Sequence, residues 1–489
     1  MAVEMSASRL LAPYFGTSLI IWANLIGLIL IYLTAGYYLG GRLADRHPSE
    51  GTLYQITAWA GFLIGLIPFV ARPVLRFSMV GFATYSVGIF LGSLLGVIAL
   101  FAVPIILLGC VSPFAIRLAV RDVETTGNIA GGIYALSTLG SIIGTFLPVL
   151  ALIPTIGTRK TFLLFSLILL GTSVVGLMRT RRRLLPVYML LLVIVVALGL
   201  FAPGGLIKSV PGLVYETESP YHYIQVVQDG GNTYLVLNEG QAVHSVYNPD
   251  SVLAYGIWDY FLMAPYFNPD QRQEDVNSLL LIGLAAGTVA RQYTAVYGDI
   301  PIDGVEIDPD IVRVARRYFN MTEPNLNAIV QDGRYFLETT DRQYDVIGID
   351  AYRQPYIPFH LTTREFFSRV RDHLTEDGVV AINAGRTETD YRLVDVLAST
   401  MKSVFPSVFV IDAQRNLNSL IVGTVQPTHL ENFTDNVAQM THPLLLDVAA
   451  RALPRTREAQ QTAMIFTDDL APVEQVIDQI ILGYVLELE

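Results

Sequence analysis

The sequence predicts a helical membrane domain, a small β-hairpin domain and an α/β domain with a buried parallel sheet. Three observations carry this prediction. Apolar segments long enough to span a bilayer fill the first 205 residues. Two alternating stretches flank a strong turn near residue 230, and short apolar runs alternate with helical patterns from residue 278 onward. We place the domains at 1–205, 206–270 (with a connecting helix) and 271–489 (with a helical C-terminal extension).

The composition excludes some classes of protein. With 489 residues, a mean hydropathy of +0.46 and only 15% charged residues, the chain is too apolar for a soluble enzyme alone. Residues 1–205 contain 13 Lys/Arg against 5 Asp/Glu, whereas the remainder contains 19 against 38. So acidic a C-terminal part will not bind nucleic acid by neutralising phosphates. The single cysteine, Cys110, excludes a disulfide framework and a cysteine-based zinc site, and we expect no metal.

The membrane domain is predicted from six apolar segments. Their small residues, such as Gly131, Gly132 and Gly140, favour close helix packing. No acid falls in the middle of a segment, which favours an anchor over a pump, with the lipid bilayer as partner. The segments are roughly 17–39, 54–71, 85–110, 129–153, 161–178 and 185–202, and the third could extend through Pro104 to Phe114 as a kinked helix.

The hairpin domain follows the break Pro203-Gly204-Gly205. Residues 221–227 alternate weakly, 229–232 form a turn and 233–237 return, which is typical of a hairpin. An aromatic helix pattern then covers Tyr255 to Phe267, where Tyr255 and Trp258 have the spacing of core residues. The polar groups His222, His244 and Glu239 lie at strand ends or in loops, where single residues are more often solvated than catalytic.

The α/β domain places an acid after each of three successive strands. The apolar run 278–282 ends in the small residues 283–287, which let the backbone turn sharply and approach a ligand. The next strand, 302–307, ends at Glu306 and Asp308, and Pro309 opens a helix. A third strand ends at Val330, before Asp332 and Gly333, and a fourth, 344–349, ends at Asp350. Open α/β sheets bind ligands at these carboxyl ends.

These acids suit a nucleoside. Glu306 can accept two hydrogen bonds from a ribose diol, and Asp332 can accept one from an adenine amine. The alternative is that such acids merely favour the start of the following helix. The segment 351–358 has no regular period and is a candidate lid, followed by a helix from Thr362 to Leu374 and a buried strand at 378–383.

Several motifs resemble those of the polyamine synthases, the spermidine and spermine synthase family, in a form fused to a membrane domain. They are Ser219-Pro220-Tyr221-His222, Val305-Glu306-Ile307-Asp308, Gln331-Asp332-Gly333 and Tyr344 to Asp350, with Leu39 to Arg46 in the membrane half. The resemblance implies a Rossmann-like, class I methyltransferase-type domain acting as a homodimer on small molecules. It implies that Asp350 is the catalytic base, and that the nucleoside is bound by Gly283, Ala285, Gly287, Glu306, Ile307, Asp332 and Gly333.

The implied reaction is transfer of an aminopropyl group from decarboxylated S-adenosylmethionine to an amine, releasing 5′-methylthioadenosine. Three acids of the family pattern are replaced here, by Ala286, Arg353 and Ile257. The adenosine half of the site is therefore kept while the polyamine half is largely lost. Possible substrate contacts are His222, Glu239, Tyr255, Tyr352 and Arg353.

Several functions stay open at this point. The chain could transfer an aminopropyl group to a polyamine, with Glu239, Asp259 or Asp468 substituting for the lost acids. It could act on intact S-adenosylmethionine without an acceptor, as a lyase or cyclase. It could be a non-enzymatic transporter or nucleoside sensor, although retention of Asp350 argues against this. The fold alone would also permit methyl transfer.

The sidedness of the membrane domain is ambiguous. If alternate loops share a side, eight arginines from Arg42 to Arg183 lie opposite Arg72, Arg76, Arg159 and Lys160. The positive-inside rule then puts the soluble part outside the cell. A nucleotide-derived co-substrate is abundant only in the cytoplasm, so we expect a protein of the bacterial inner membrane type with a cytoplasmic soluble part.

Overall fold

The computed structural model describes residues 1–15, 19–80, 88–201, 210–238, 243–353, 356–415 and 417–487. The chain divides into two compact units, Met1–Ser209 and Val210–Glu489, which are described separately.

The N-terminal unit is helical. Five stretches in its described part are long and apolar enough to cross a membrane, and the one at Val123–Thr180 covers two of the predicted segments. Within that stretch a π-helical turn, Pro148–Leu152, joins two helices, and Gly157 adopts a φ of 82°. The helices are α1 (Ala2–Phe15), α2 (Leu19–Arg46), α3 (Glu50–Val80), α4 (Gly88–Gly109), α5 (Val111–Ala119), α6 (Thr126–Leu147), α7 (Ile153–Thr180) and α8 (Leu185–Phe201).

Close helix packing occurs, but elsewhere than expected. A Cβ on Gly36 of α2 would lie 2.4 Å from the Ile106 carbonyl oxygen, so α2 and α4 touch backbone to backbone there. By contrast, a Cβ on Gly131, Gly132 or Gly140 of α6 would have no atom within 4 Å. These three glycines therefore do not mediate packing within this unit, whereas Gly144 of α6 does, since a Cβ there would lie 3.2 Å from the Ala2 nitrogen. The predicted kinked helix through Phe114 is two helices, because α4 ends at Gly109 and α5 starts at Val111.

Contacts within this unit join its charged loops into two groups. Arg117 pairs with Asp45 at 3.2 Å, and Arg181 bonds Ser49 at 3.3 Å, which brings the ends of α2, α5 and α7 together. Arg159 stacks over the ring of Phe69, 4.6 Å from its centroid, which joins the start of α7 to the later part of α3.

The second unit begins with a four-stranded antiparallel sheet in the order β1-β2-β3-β4. The two predicted hairpin segments form its middle strands, and Asp229 faces Asn232 across the turn. The strands are β1 (Leu213–Glu218), β2 (Tyr223–Asp229), β3 (Asn232–Leu237) and β4 (Val243–Tyr247).

A second, eight-stranded sheet has the order β7-β6-β5-β8-β9-β11-β10-β12. Strands β5 to β9 are mutually parallel, and β11 pairs antiparallel with both β9 and β10. This is the Rossmann-like arrangement of the methyltransferase type. The strands are β5 (Leu279–Ile282), β6 (Ile302–Glu306), β7 (Leu326–Val330), β8 (Tyr344–Ile349), β9 (Leu374–Gly385), β10 (Ser407–Asp412), β11 (Asn418–Thr424) and β12 (Thr456–Glu458).

Helices cover both faces of this sheet and bury two large apolar clusters. The predicted aromatic helix is instead a 3₁₀ helix, Ile257–Phe267, in which every residue is buried. The α-helices are α9 (Thr288–Tyr297), α10 (Pro309–Tyr318), α11 (Gly333–Thr339), α12 (Arg364–Asp372), α13 (Arg392–Lys402), α14 (Leu430–Gln439), α15 (Pro443–Ala452) and α16 (Val473–Glu487).

Candidate active site

The carboxyl ends of β5, β6 and β8 meet where the strand order reverses. The Asp350 N–H donates to the Ile282 carbonyl at 2.8 Å, and the Gly283 N–H donates to the Val305 carbonyl at 2.9 Å. Gly283 has a φ of +91°, and a Cβ there would lie 2.4 Å from the carbonyl oxygen of Asp350. Glycine is therefore required for the turn after β5 to pass this close to the candidate base.

The Asp350 carboxylate is held by two side-chain donors. The indole N–H of Trp258 donates to Oδ2 at 3.0 Å, and the Asn383 amide donates to Oδ1 at 2.8 Å. Burial raises the pKa of Asp350 to about 6, although both hydrogen bonds oppose that rise. Near neutral pH the group is therefore an ionised, oriented carboxylate whose pKa suits a general base.

Further contacts hold these donors in place. The Asn383 Oδ1 accepts from the Asn418 amide at 3.0 Å, and its carbonyl accepts from the Tyr352 hydroxyl at 3.1 Å. Burial and the nearby Asp350 raise the pKa of Tyr352, so its hydroxyl stays a donor. Sequence reasoning missed Asn383 and Asn418 and assigned Trp258 to the core. The available signal was that Asn383 ends the predicted apolar strand 378–383.

Glu306 lies at the end of β6 and is 6% exposed. Its Oε2 accepts the Ala285 N–H at 3.0 Å, and its Oε1 accepts the Asp308 N–H at 3.1 Å. Burial raises the pKa of Glu306, whereas His222 and these two N–H groups lower it. Each oxygen retains acceptor capacity, so the carboxylate can still receive hydrogen bonds from a diol.

His222 is buried rather than solvated. Its Nδ1 lies 3.0 Å from the Oδ2 of Asp308, an oxygen that also accepts from the Ser219 hydroxyl at 2.5 Å. Asp308 is fully buried and caps α10 by accepting the Asp310 N–H at 2.9 Å. Asp308 is therefore a helix cap, as the alternative interpretation expects, and its carboxylate also joins the segment between β1 and β2 to the start of α10.

His244 lies on β4 and has a buried ring nitrogen. Among the described residues nothing hydrogen-bonds its Nε2. Burial lowers the pKa of His244 to about 3, with a further lowering by His222, so the ring is neutral. The next residue, Ser245, accepts the Ala286 N–H at 2.9 Å, which fixes β4 against the turn after β5.

Asp332 follows β7 and caps α11 by accepting the N–H groups of Arg334 and Tyr335, each at 3.0 Å. Its Oδ2 lies 3.1 Å from Nε2 of His360, and this contact is the main reason that its pKa is lowered. Half-buried and ionised, Asp332 can accept from a ligand amine. The adjacent Gly333 lies against Ile282, because a Cβ there would be 2.3 Å from that side chain.

Tyr255, a predicted substrate contact, is 46% exposed and has a φ of +54°. The guanidinium groups of Arg451 and Arg415 lie over its ring, 5.1 and 5.7 Å from the centroid. Its N–H donates to Asp259 at 3.0 Å, which holds the residue in this conformation.

Two further predicted substrate contacts are Arg353, in the predicted lid, and Glu239. Arg353 is exposed, and its backbone exchanges two hydrogen bonds with that of Tyr356, at 2.8 and 3.1 Å. Tyr356 in turn bonds Asp478 of α16 at 2.6 Å, which ties the predicted lid to the C-terminal helix. Glu239, and residues 354–355 of the lid, lie outside the described residues.

Two acids proposed as substitutes for the lost ones have other partners. Asp259 is fully buried and accepts from Gln292 at 2.7 Å and from Arg451 at 3.0 Å. Asp468 forms a bidentate pair with Arg334, at 2.7 and 2.6 Å, which lowers its pKa to about 2. Both carboxylates are thus paired with arginines.

Comparisons with known proteins give one family match and several related sequences and structures. Residues 270–418 match the family described as "Spermine/spermidine synthase domain". A probable polyamine aminopropyl transferase of Bifidobacterium longum is 32% identical over 301 residues. That alignment covers 55% of this chain and only 64% of the relative, so less than two thirds of its length is spanned.

A polyamine aminopropyltransferase of Oceanobacillus iheyensis is 25% identical over 385 residues, which cover 73% of this chain and 70% of that protein. Since the second unit comprises residues 210–489, the alignment must extend into the apolar N-terminal unit. A solved probable spermidine synthase from Corynebacterium glutamicum has a TM-score of 0.40 at 19% identity, covering 53% of this chain and 98% of its own.

Proposed function

We propose that this chain, which matches the spermine/spermidine synthase family over residues 270–418, is a transferase that moves an aminopropyl-type group from an adenosyl sulfonium to an amine. The single observation that carries the proposal is the Asp350 carboxylate. It lies at the carboxyl end of β8, is held by Trp258 and Asn383, and has a pKa raised to about 6.

In the proposed step, Asp350 orients an acceptor amine and takes its proton. The nitrogen lone pair attacks the carbon next to the sulfonium, and the carbon–sulfur bond breaks with its electron pair going to sulfur. The products are the alkylated amine and the neutral thioether 5′-methylthioadenosine. Atoms and charge balance without an oxidant or a metal.

The proposed donor is decarboxylated S-adenosylmethionine. Glu306 would accept from the ribose hydroxyls, because its two oxygens retain acceptor capacity and are fixed by backbone donors. Asp332 would accept from the adenine amine, with Gly333, Ile307, Gly283, Ala285 and Gly287 forming the backbone of the pocket. Intact S-adenosylmethionine is the alternative donor, because an alanine, Ala286, replaces the acid that the family pattern has for the aminopropyl amine.

The test is mass spectrometry of products from purified full-length protein given either donor, with and without an amine acceptor. Aminopropylated amine together with 5′-methylthioadenosine would support the proposal. Release of 5′-methylthioadenosine from S-adenosylmethionine alone would replace it with an intramolecular lyase or cyclase. Binding of adenosyl ligands without consumption of either donor would favour a sensor and overturn the transferase.

We further propose that the N-terminal unit anchors the enzyme in the membrane, with the second unit in the cytoplasm. Its five long apolar stretches and its alternating charged loops support anchoring. The cytoplasmic assignment of the second unit is supported by the supply of the adenosyl donor, which is abundant in the cytoplasm. The distribution of arginines among the loops favours the other side. Labelling of a cysteine introduced at Glu458, in a Cys110→Ser background, would decide it: reaction with an impermeant reagent in intact spheroplasts would overturn the cytoplasmic assignment.

A further inference from the structure

His360 takes one of the acceptor positions of Asp332, the acid proposed to bind the adenine amine. Its Nε2 lies 3.1 Å from Oδ2 of Asp332. The other oxygen, Oδ1, accepts the N–H groups of Arg334 and Tyr335, each at 3.0 Å. An ionised carboxylate has about four acceptor positions and no donor, so Nε2 of His360 carries the hydrogen of this bond. Within the described part of the chain these three bonds leave one acceptor position, on Oδ2, for a ligand.

His360 is itself held in place from the C-terminal extension. It lies in the 3₁₀ turn Phe359–Leu361, and its carbonyl accepts from Nη1 of Arg334 at 3.2 Å. The same guanidinium forms the bidentate pair with Asp468, at 2.7 and 2.6 Å. A bidentate pair fixes the orientation of the planar guanidinium. Contacts therefore run without a break from Asp468 through Arg334 to His360 and on to Asp332.

We propose that His360 is a specificity-determining residue for the base of the donor. It positions Asp332 so that the free acceptor of this acid receives the exocyclic amine of a 6-aminopurine, and Asp468 holds it there through Arg334. The inference rests on the proposed function, because it takes Asp332 to bind the base of an adenosyl donor.

The contact selects against a 6-oxopurine. Such a base presents an oxygen in place of the amine, so it forms no hydrogen bond with an ionised Asp332 that His360 could hold in place. His360 is also the main reason that the pKa of Asp332 is lowered, which keeps this carboxyl from becoming a donor to that oxygen. Removing His360 should therefore affect the two kinds of base differently.

Two nucleosides isolate the amine. 5′-Methylthioinosine differs from 5′-methylthioadenosine in having an oxygen at purine C6 and the accompanying hydrogen on N1. Both would be titrated calorimetrically into full-length, detergent-solubilised protein at neutral pH, the inosine by competition with the adenosine. His360→Leu should weaken binding of 5′-methylthioadenosine by about 10-fold, the value of one hydrogen bond to a charged group, and leave binding of 5′-methylthioinosine unchanged.

Two further variants at or near this contact sharpen the test. His360→Gln brings an amide N–H to about the position of Nε2 and should keep most of the preference for the adenosine. Asp468→Asn breaks the bidentate pair while leaving His360 in the chain, so it keeps the test available if His360→Leu does not fold. It should reduce the preference by less than His360→Leu does, because Arg334 retains its bond to the His360 carbonyl.

His373→Leu is the matched control. It removes a histidine whose Nδ1 lies 3.0 Å from the Arg342 carbonyl oxygen, near the start of β8 and at the edge of the sheet opposite to Asp332. It should change neither affinity. The role of His360 is overturned if His360→Leu weakens both nucleosides equally, if it weakens neither, or if His360→Gln behaves like His360→Leu. An unchanged preference in Asp468→Asn would overturn the part assigned to Asp468.

These measurements are independent of turnover. If neither donor is consumed but the preference depends on His360, the proposed transferase falls and the role of His360 stands. If an amine is aminopropylated but His360→Leu affects both nucleosides alike, the transferase stands and the role of His360 falls.

Discussion

The indole N–H of Trp258 donates to the Oδ2 of Asp350 over 3.0 Å, across 92 residues of chain. This bond fixes the 3₁₀ helix 257–267 against the carboxyl end of β8. With Asn383 on the other oxygen, it orients the carboxylate and lowers its pKa against the larger effect of burial. Trp258 is thus a positioning residue for the proposed base.

Replacing Trp258 with phenylalanine should lower kcat by roughly 10-fold at neutral pH, because a buried carboxylate loses one donor. Since that donor lowers the pKa of Asp350, its loss should move the acidic limb of the pH–rate profile upward. Tyr293→Phe is the control: it removes a 2.8 Å bond to the same 3₁₀ helix, at Phe261, without touching Asp350. If Trp258 only supported the fold, the acidic limb of the pH–rate profile would stay unshifted in both variants.

Removing the base itself is the most direct test. Asp350→Asn should reduce kcat by about 10²- to 10⁴-fold, the range of general-base catalysis, while binding of 5′-methylthioadenosine persists. Asp345→Asn makes the same charge change at the other end of β8, where its carboxylate bonds Asn277 and Thr375. It should retain activity. Equal losses in both variants would mean that the effect comes from the strand rather than from the base.

The pH dependence follows from the direction of the Asp350 shift. Since burial raises its pKa to about 6, the base is protonated below that value and ionised above it. The kcat/KM for the donor should therefore fall with decreasing pH through about 6 and level off above it. A rate that is flat between pH 5 and 7, measured where the protein stays folded, would contradict a base of this pKa.

The strand ends of the site were predictable because they are local. An apolar run followed by an acid identifies β8 and Asp350, and β8 spans the predicted residues 344–349. In the same way Glu306 ends β6, and Asp332 follows β7. Parallel strands bring their carboxyl ends to one edge of a sheet, so local patterns suffice to assemble these three groups.

The groups that hold Asp350 were not predictable in that way. Trp258 lies in a segment whose residues are all buried. Such a segment has no alternation of polar and apolar positions, so its sequence cannot distinguish an α-helix from a 3₁₀ helix. Pro265 lies within this segment and has no backbone N–H, which disfavours a regular α-helix there. Asn383 bonds Asp350 only because β9 pairs with β8, a contact set by the whole sheet.

The nucleoside half can be tested without catalysis. Glu306→Gln should weaken binding of 5′-methylthioadenosine by about 10- to 100-fold, because the amide cannot accept on both sides and meets an N–H donor at one of them. Asp303 is a buried residue of the same strand, and Asp303→Asn would disturb its contacts to Arg342 and Asn327. It should lower the unfolding temperature and leave the affinity of the folded protein unchanged. The reverse pattern would show that Glu306 only supports the turn.

The last prediction concerns the approach of the turn after β5 to the base. Gly283 and Gly298 both have a positive φ, of +91° and +80°, so alanine is strained at either position. They differ in space: a Cβ on Gly283 meets the Asp350 carbonyl oxygen at 2.4 Å, whereas one on Gly298 has no atom within 4 Å. Gly298→Ala should therefore lose stability alone, measured as a lower unfolding temperature. Gly283→Ala should lose that stability and, because Asp350 must move, also about 10²-fold or more in kcat. Equal activity in the two variants would show that the position of Asp350 does not depend on this contact.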